Sequence, residues 1–155
     1  MKYAAPNDEQ LHHVALASLT DLGPRRLDRL LANTADGSAM SAWALLTSGN
    51  VDNTLIRVDP KLVAEWIRHA RALDLDQLRA HVVKSGVEVV DQSSDSWPEQ
   101  LRNDPEPPRL LFGRGPLGPV TPSVAIVGTR RCTQYGRRVA RQLAGDLGAR
   151  GIGVV

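Results

Sequence analysis

Residues 123–128 read Ser-Val-Ala-Ile-Val-Gly, a near-continuous apolar run closed by glycine. A run of that length and composition is expected to form a strand buried on both faces in a parallel sheet, because a half-exposed strand would alternate apolar with polar residues. A helix is expected next. Thr133 is placed to cap it, Val139, Ala140, Leu143, Ala144 and Leu147 make one apolar stripe at helical spacing, and Gly151 is placed to end it. Ile-Gly-Val-Val at 152–155 then supplies a second buried strand. Strand, short turn, helix and strand make a βαβ unit, whose crossover is expected to be right-handed, and this puts the C-terminal part in the α/β class with a doubly wound sheet.

The first third of the chain has a different period. Leu11, Val14, Leu16 and Leu19, and then Leu27, Leu30 and Leu31, recur at helical spacing on either side of Thr-Asp-Leu-Gly-Pro-Arg-Arg. Gly23 permits a turn there and Pro24 suits the first position of a helix, so a helix–turn–helix joint is expected. Further helices are expected at about 39–46 and 60–72, with Trp43, Trp66 and Ile67 in the core. From Asp74 an amphipathic helix closed by Gly86 leads into a β-branched strand, Val-Glu-Val-Val. The domain reading is therefore a helical domain over 1–73, followed at 74–155 by the start of a Rossmann-like domain. Residues 94–119 are crowded with proline and glycine, but Trp97, Leu101, Leu110, Leu111 and Phe112 are anchors that favour an ordered loop around a short Leu-Leu-Phe piece over a solvated linker.

Charge is segregated along the chain. Residues 1–100 carry 10 basic and 14 acidic side chains, whereas residues 101–155 carry 9 arginines against 3 acids. Between Gly128 and Arg141 there are five arginines and no acid, a local field that attracts phosphates or an acidic partner, with a solvated helix face as the alternative. No apolar run approaches the roughly 20 residues of a membrane helix, and the N-terminus lacks the apolar core of a signal peptide. The lone Cys132 leaves no internal disulfide and fits a cytoplasmic location.

In an open α/β sheet, ligands bind at the carboxyl ends of the strands, which makes the turn Gly-Thr-Arg-Arg-Cys-Thr-Gln-Tyr-Gly, residues 128–136, the candidate site. Gly128 lets another group approach the backbone and Thr129 offers a hydroxyl. The amides opening the next helix suit an anion, and Arg130 and Arg131 can grip a phosphate with paired hydrogen bonds. Arg137, Arg138 and Arg141 follow on the solvent side of the apolar stripe. Neither a dinucleotide fingerprint nor a nucleoside-triphosphate loop is present, and no catalytic triad, paired carboxylates or histidine cluster accompanies the turn, so no enzymatic role, cofactor or metal is expected.

These residues resemble the DNA-processing protein A (DprA/Smf) family of bacteria. The shared features are Val-Ala-Ile-Val-Gly-Thr-Arg, then Gln-Tyr-Gly and a basic amphipathic helix, together with the upstream stretch from Trp97 to Gly115, where tyrosine is usual at position 97. The N-terminal Leu-Gly-Pro-Arg-Arg-Leu-Asp-Arg-Leu-Leu is similar to the family's small helical domain, of SAM-like or helix–hairpin–helix type, with Asp21 where the hairpin's first glycine usually stands. The resemblance implies an extended Rossmann-like fold that binds single-stranded DNA, a homodimer, and loading of the RecA recombinase in natural transformation. Gly128, Thr129 and Arg130 match the family's phosphate-contacting turn, and Arg131, Arg137 and Arg138 join them by charge and position. The family continues past the second strand with Ser-Gly-x-Ala-x-Gly-Ile-Asp, so this chain is expected to be the N-terminal part of a longer protein. Two alternatives stay open: a Rossmann-like protein for a small phosphorylated ligand or nucleotide, and an inactive fragment.

Overall fold

The computed structural model describes residues 4–115 and 122–155, so the last prolines and glycines of the loop, at 116–119, lie outside the described residues. The chain divides into two compact units, Met1–Leu117 and Gly118–Val155. It is a mixed α/β protein with two separate two-stranded pairs among the described residues.

The first unit opens with α1 (Asp8–Ala17), α2 (Pro24–Ala32), α3 (Ala39–Ser48), the single turn α4 (Asn53–Ile56), α5 (Pro60–Ala72) and α6 (Leu75–Ser85). Their starts are set locally. Asn7 and Gln10 form a reciprocal capping box on α1, Pro24 occupies the first turn of α2, and Ser38, Asp52, Asp59 and Asp74 each accept an amide hydrogen bond at the helix they precede. α3 and α6 end at Gly49 and Gly86, both at positive φ, where glycine carries no Cβ penalty. The short α4 was not expected from periodicity, which four residues are too few to display.

Trp66 of α5 sits at the centre of the core, 1% exposed, among Leu16, Leu30, Leu46 and Ile56, and its indole N–H donates to the Thr20 carbonyl at 2.8 Å. Trp43 is buried as expected, and Ile67 packs partly buried against the same cluster. α3 is tied down from outside at both ends. The Glu9 carboxylate of α1 accepts from the amides of Ala39 at 2.6 Å and Met40 at 3.2 Å, and the Arg71 guanidinium of α5 donates to the carbonyls of Thr47 at 2.8 Å and Ser48 at 3.1 Å. In the joint between α1 and α2, Asp21 has φ 55°, the left-handed conformation that a glycine adopts freely, and its carbonyl accepts from Arg26 Nη1 at 2.8 Å.

β1 (Glu88–Asp91) and β2 (Leu110–Gly113) pair antiparallel, from Glu88 opposite Gly113 to Asp91 opposite Leu110. The connection between them contains only a 3₁₀ turn, Glu99–Leu101, and no crossover helix, so a parallel arrangement is not made here. Val89, Val90 and Trp97 are buried. Phe112, expected as an anchor, is instead more than half exposed and lies on the wall of a surface groove lined also by Leu22, Leu27, Pro105 and Pro107.

In the second unit β3 (Ser123–Val124), α7 (Gln134–Gly148) and β4 (Gly153–Val154) follow in the expected order, and the two strands are parallel. Their ladder runs beyond the strand bounds. Gly153 donates to Pro122 at 2.9 Å, Val155 to Val124 at 3.0 Å and Ile126 to Val155 at 2.8 Å. The expected burial on both faces does not hold within this unit: Val124 and Val154 are exposed, and Val127 is 89% exposed. Two strands with one helix packed against them have one face to bury, and the helical stripe itself is only half-buried, with Leu143 turned further out. α7 closes at Gly148, and Gly151, at φ 74°, makes the turn into β4 three residues later.

Candidate nucleic-acid interface

The loop from Ala125 to Thr133 carries the chain from the end of β3 to the start of α7. Thr133 caps α7 as expected, its hydroxyl accepting the Gly136 amide at 3.1 Å. Thr129 is used within the loop, where its hydroxyl accepts the Arg131 amide at 3.2 Å. Gly128 has no positive φ, and a Cβ built on it would meet nothing within 4 Å, so neither conformation nor internal packing requires glycine there. What the missing side chain leaves is open backbone at the mouth of the loop.

Arg130, Arg131, Arg137, Arg138 and Arg141 are all exposed. The ion pairs among the described residues, His13–Glu9, Arg79–Asp8, Arg102–Glu99 and Arg109–Asp28, all lie in the first unit, so none of these five arginines is neutralised by a carboxylate. Residues 122–155 contain six arginines and a single acid, Asp146. The unit therefore presents positive charge held on a short loop and one helix, a surface that concentrates polyanions.

Arg137, Arg138 and Arg141 converge with Gln134 on one open groove of about 530 Å³ along α7. Gly128, Thr129, Arg130 and Arg131 stand in the preceding loop and do not line it, so the six positions singled out from sequence fall into a loop set and a helix set. Gln134 and Arg141 were not among the six. Their signal was available, since 134, 137, 138 and 141 are spaced i, i+3, i+4 and i+7 and must share a helix face. Arg138 also lies over the ring of Tyr135, its guanidinium carbon 5.7 Å from the ring centroid. Guanidinium groups in this array can hold successive phosphate oxygens through charge-assisted hydrogen bonds. Cys132 is a half-buried free thiol, and residues 122–155 include no histidine.

Among the described residues no cluster of histidine, cysteine or carboxylate side chains is arranged to hold a metal, and no helix is long and apolar enough to cross a membrane. No curated protein and no solved structure is significantly similar to the chain. A family model does match, over the segment that runs from β1 through the loop and α7 to β4 and includes every candidate position. The resemblance carried by Val-Ala-Ile-Val-Gly-Thr-Arg and Gln-Tyr-Gly is thereby borne out: residues 88–155 of this chain match the model of the family of DNA recombination-mediator protein A.

Proposed function

We propose that this protein binds single-stranded DNA in DNA processing and recombination, gripping the phosphate backbone with the Gly128–Arg131 loop and the arginine face of α7. The observation that carries the reading is the set of five exposed arginines, at 130, 131, 137, 138 and 141, with no carboxylate partner among the described residues, inside the segment that matches a recombination-mediator family. Contacts of this kind follow the backbone without reading base edges, so binding is weakly sequence-selective and strongly salt-dependent. In this reading the βαβ unit is the first part of an extended Rossmann-like sheet. The N-terminal helices are a helix–hairpin–helix-like domain, and the protein works in the cytoplasm as a homodimer that protects incoming DNA and helps load the RecA recombinase during natural transformation. The groove on α7 is open and so suits a chain better than a small phosphorylated ligand, which needs enclosing walls.

The test is fluorescence anisotropy of a labelled oligothymidine titrated with the protein across a salt series. Saturable binding that weakens as salt rises is the expected result. Absence of binding at low salt, or binding indifferent to salt, would overturn the proposal.

A further inference from the structure

We infer that the Tyr135 ring is a stacking platform for a nucleobase, placed so that the arginine surface takes up a strand with its bases and not merely its phosphates. The inference rests on the single-stranded DNA reading above and deepens it.

Tyr135 lies in the first turn of α7 and is 68% exposed. An aromatic ring contributes to a fold chiefly by the area it buries, and this ring buries little within the unit. It is also the one aromatic residue between 122 and 155, so any stacking by this unit falls to it. Its surroundings are not those of a stray surface tyrosine. Arg138, one turn on, lies with its guanidinium carbon 5.7 Å from the ring centroid, and the same side chain lines the groove with Gln134, Arg137 and Arg141.

One guanidinium thus joins the ring to the groove. Its attraction to the ring helps hold the aromatic plane, and a guanidinium carries five N–H donors with which to meet a phosphate in the groove that it lines. The residue is 68% exposed with the cation over one face of its ring, and a base laid on the other face would complete a stack of cation, ring and base. A duplex, whose bases are already stacked, cannot offer one, so the platform favours single strands.

The experiment uses the full chain and two labelled oligonucleotides of equal length, one of thymidines and one abasic, each titrated by anisotropy with wild type, Tyr135→Ala and Tyr135→Phe. Tyr135→Ala is expected to weaken oligothymidine binding about fivefold or more while leaving abasic binding and the salt slope unchanged, and Tyr135→Phe to keep wild-type affinity for both. Equal loss on both oligonucleotides, or no loss on oligothymidine, overturns the stacking role and leaves the arginine surface standing. Wild-type protein that binds neither oligonucleotide overturns both readings together.

Discussion

Replacing Arg137, Arg138 and Arg141 together by glutamine removes three positive charges from one face of α7 while keeping side chains that favour the helix. Among the described residues none of the three guanidinium groups makes an ion pair, all three side chains are exposed, and only Arg138 has a further contact, over the Tyr135 ring, so each substitution should change the stability of the unit by no more than about 0.5–1 kcal/mol. The effect on binding should be large. On a single strand each neutralised phosphate contributes about 0.7 to the slope of log affinity against log salt, so the triple variant should lose about 2 from that slope. Referred to 1 M salt, the same relation gives about a fivefold loss per arginine at 0.1 M, or roughly 100-fold for all three. Anisotropy with oligothymidine between about 0.05 and 0.3 M salt measures both quantities, with thermal unfolding as the control for the fold. A slope unchanged from wild type would refute the assignment of this face to phosphate. Loss of the folding transition in the triple variant would show that the arginines serve the fold instead.

Gly128→Ala should leave stability within about 0.5 kcal/mol, because the new Cβ meets nothing, yet weaken DNA binding several-fold by standing where the strand approaches; equal affinity on anisotropy would remove Gly128 from the contact. Trp66→Phe takes the donor from the Thr20 carbonyl, made at 2.8 Å in the core, and should cost about 1–3 kcal/mol in urea unfolding; a negligible loss would mean that the carbonyl is satisfied otherwise. Burial raises the Asp91 carboxyl, but the Ser93 hydroxyl and amide, the Ser94 hydroxyl and the Gln10 side chain outweigh this and hold it below its ordinary value of 3.8. The charged form is therefore favoured by folding, and its contribution is present above pH 3.8 and lost as pH falls through the lower folded value. Asp91→Asn should flatten the acid side of the stability profile, and urea midpoints that fall as steeply with acid as those of wild type would contradict this.

The features that could be read from sequence are those whose cause is local. Thr133, Pro24 and Gly86 mark helix ends because each acts through its own φ or its own oxygen, and all three stand where the chain pattern puts them. The βαβ order was legible for the same reason, since periodicity switches within a few residues. Burial of Ser-Val-Ala-Ile-Val-Gly was not, because an apolar run states a demand for cover without saying what meets it, and Val127 stands in the open within this unit. Phe112 failed likewise, as a strand end whose exposure depends on neighbours distant in sequence. For the site, the arginine cluster was visible as charge and the shared face of Gln134, Arg137, Arg138 and Arg141 as helical spacing, whereas the separation of the four loop positions from the groove on that face was not.

The clasp on α3 bears on how the first unit comes apart. Helices ordinarily fray from their ends, where amides and carbonyls lack partners. Here Glu9 holds the first amides of α3 and Arg71 the last carbonyls, from positions 30 and 23 residues away in sequence at their nearest. Loosening either end of α3 therefore breaks bonds to α1 or α5 as well as its own. The three helices are therefore expected to open together, with the end amides of α3 protected from exchange more strongly than those of a helix whose ends are free.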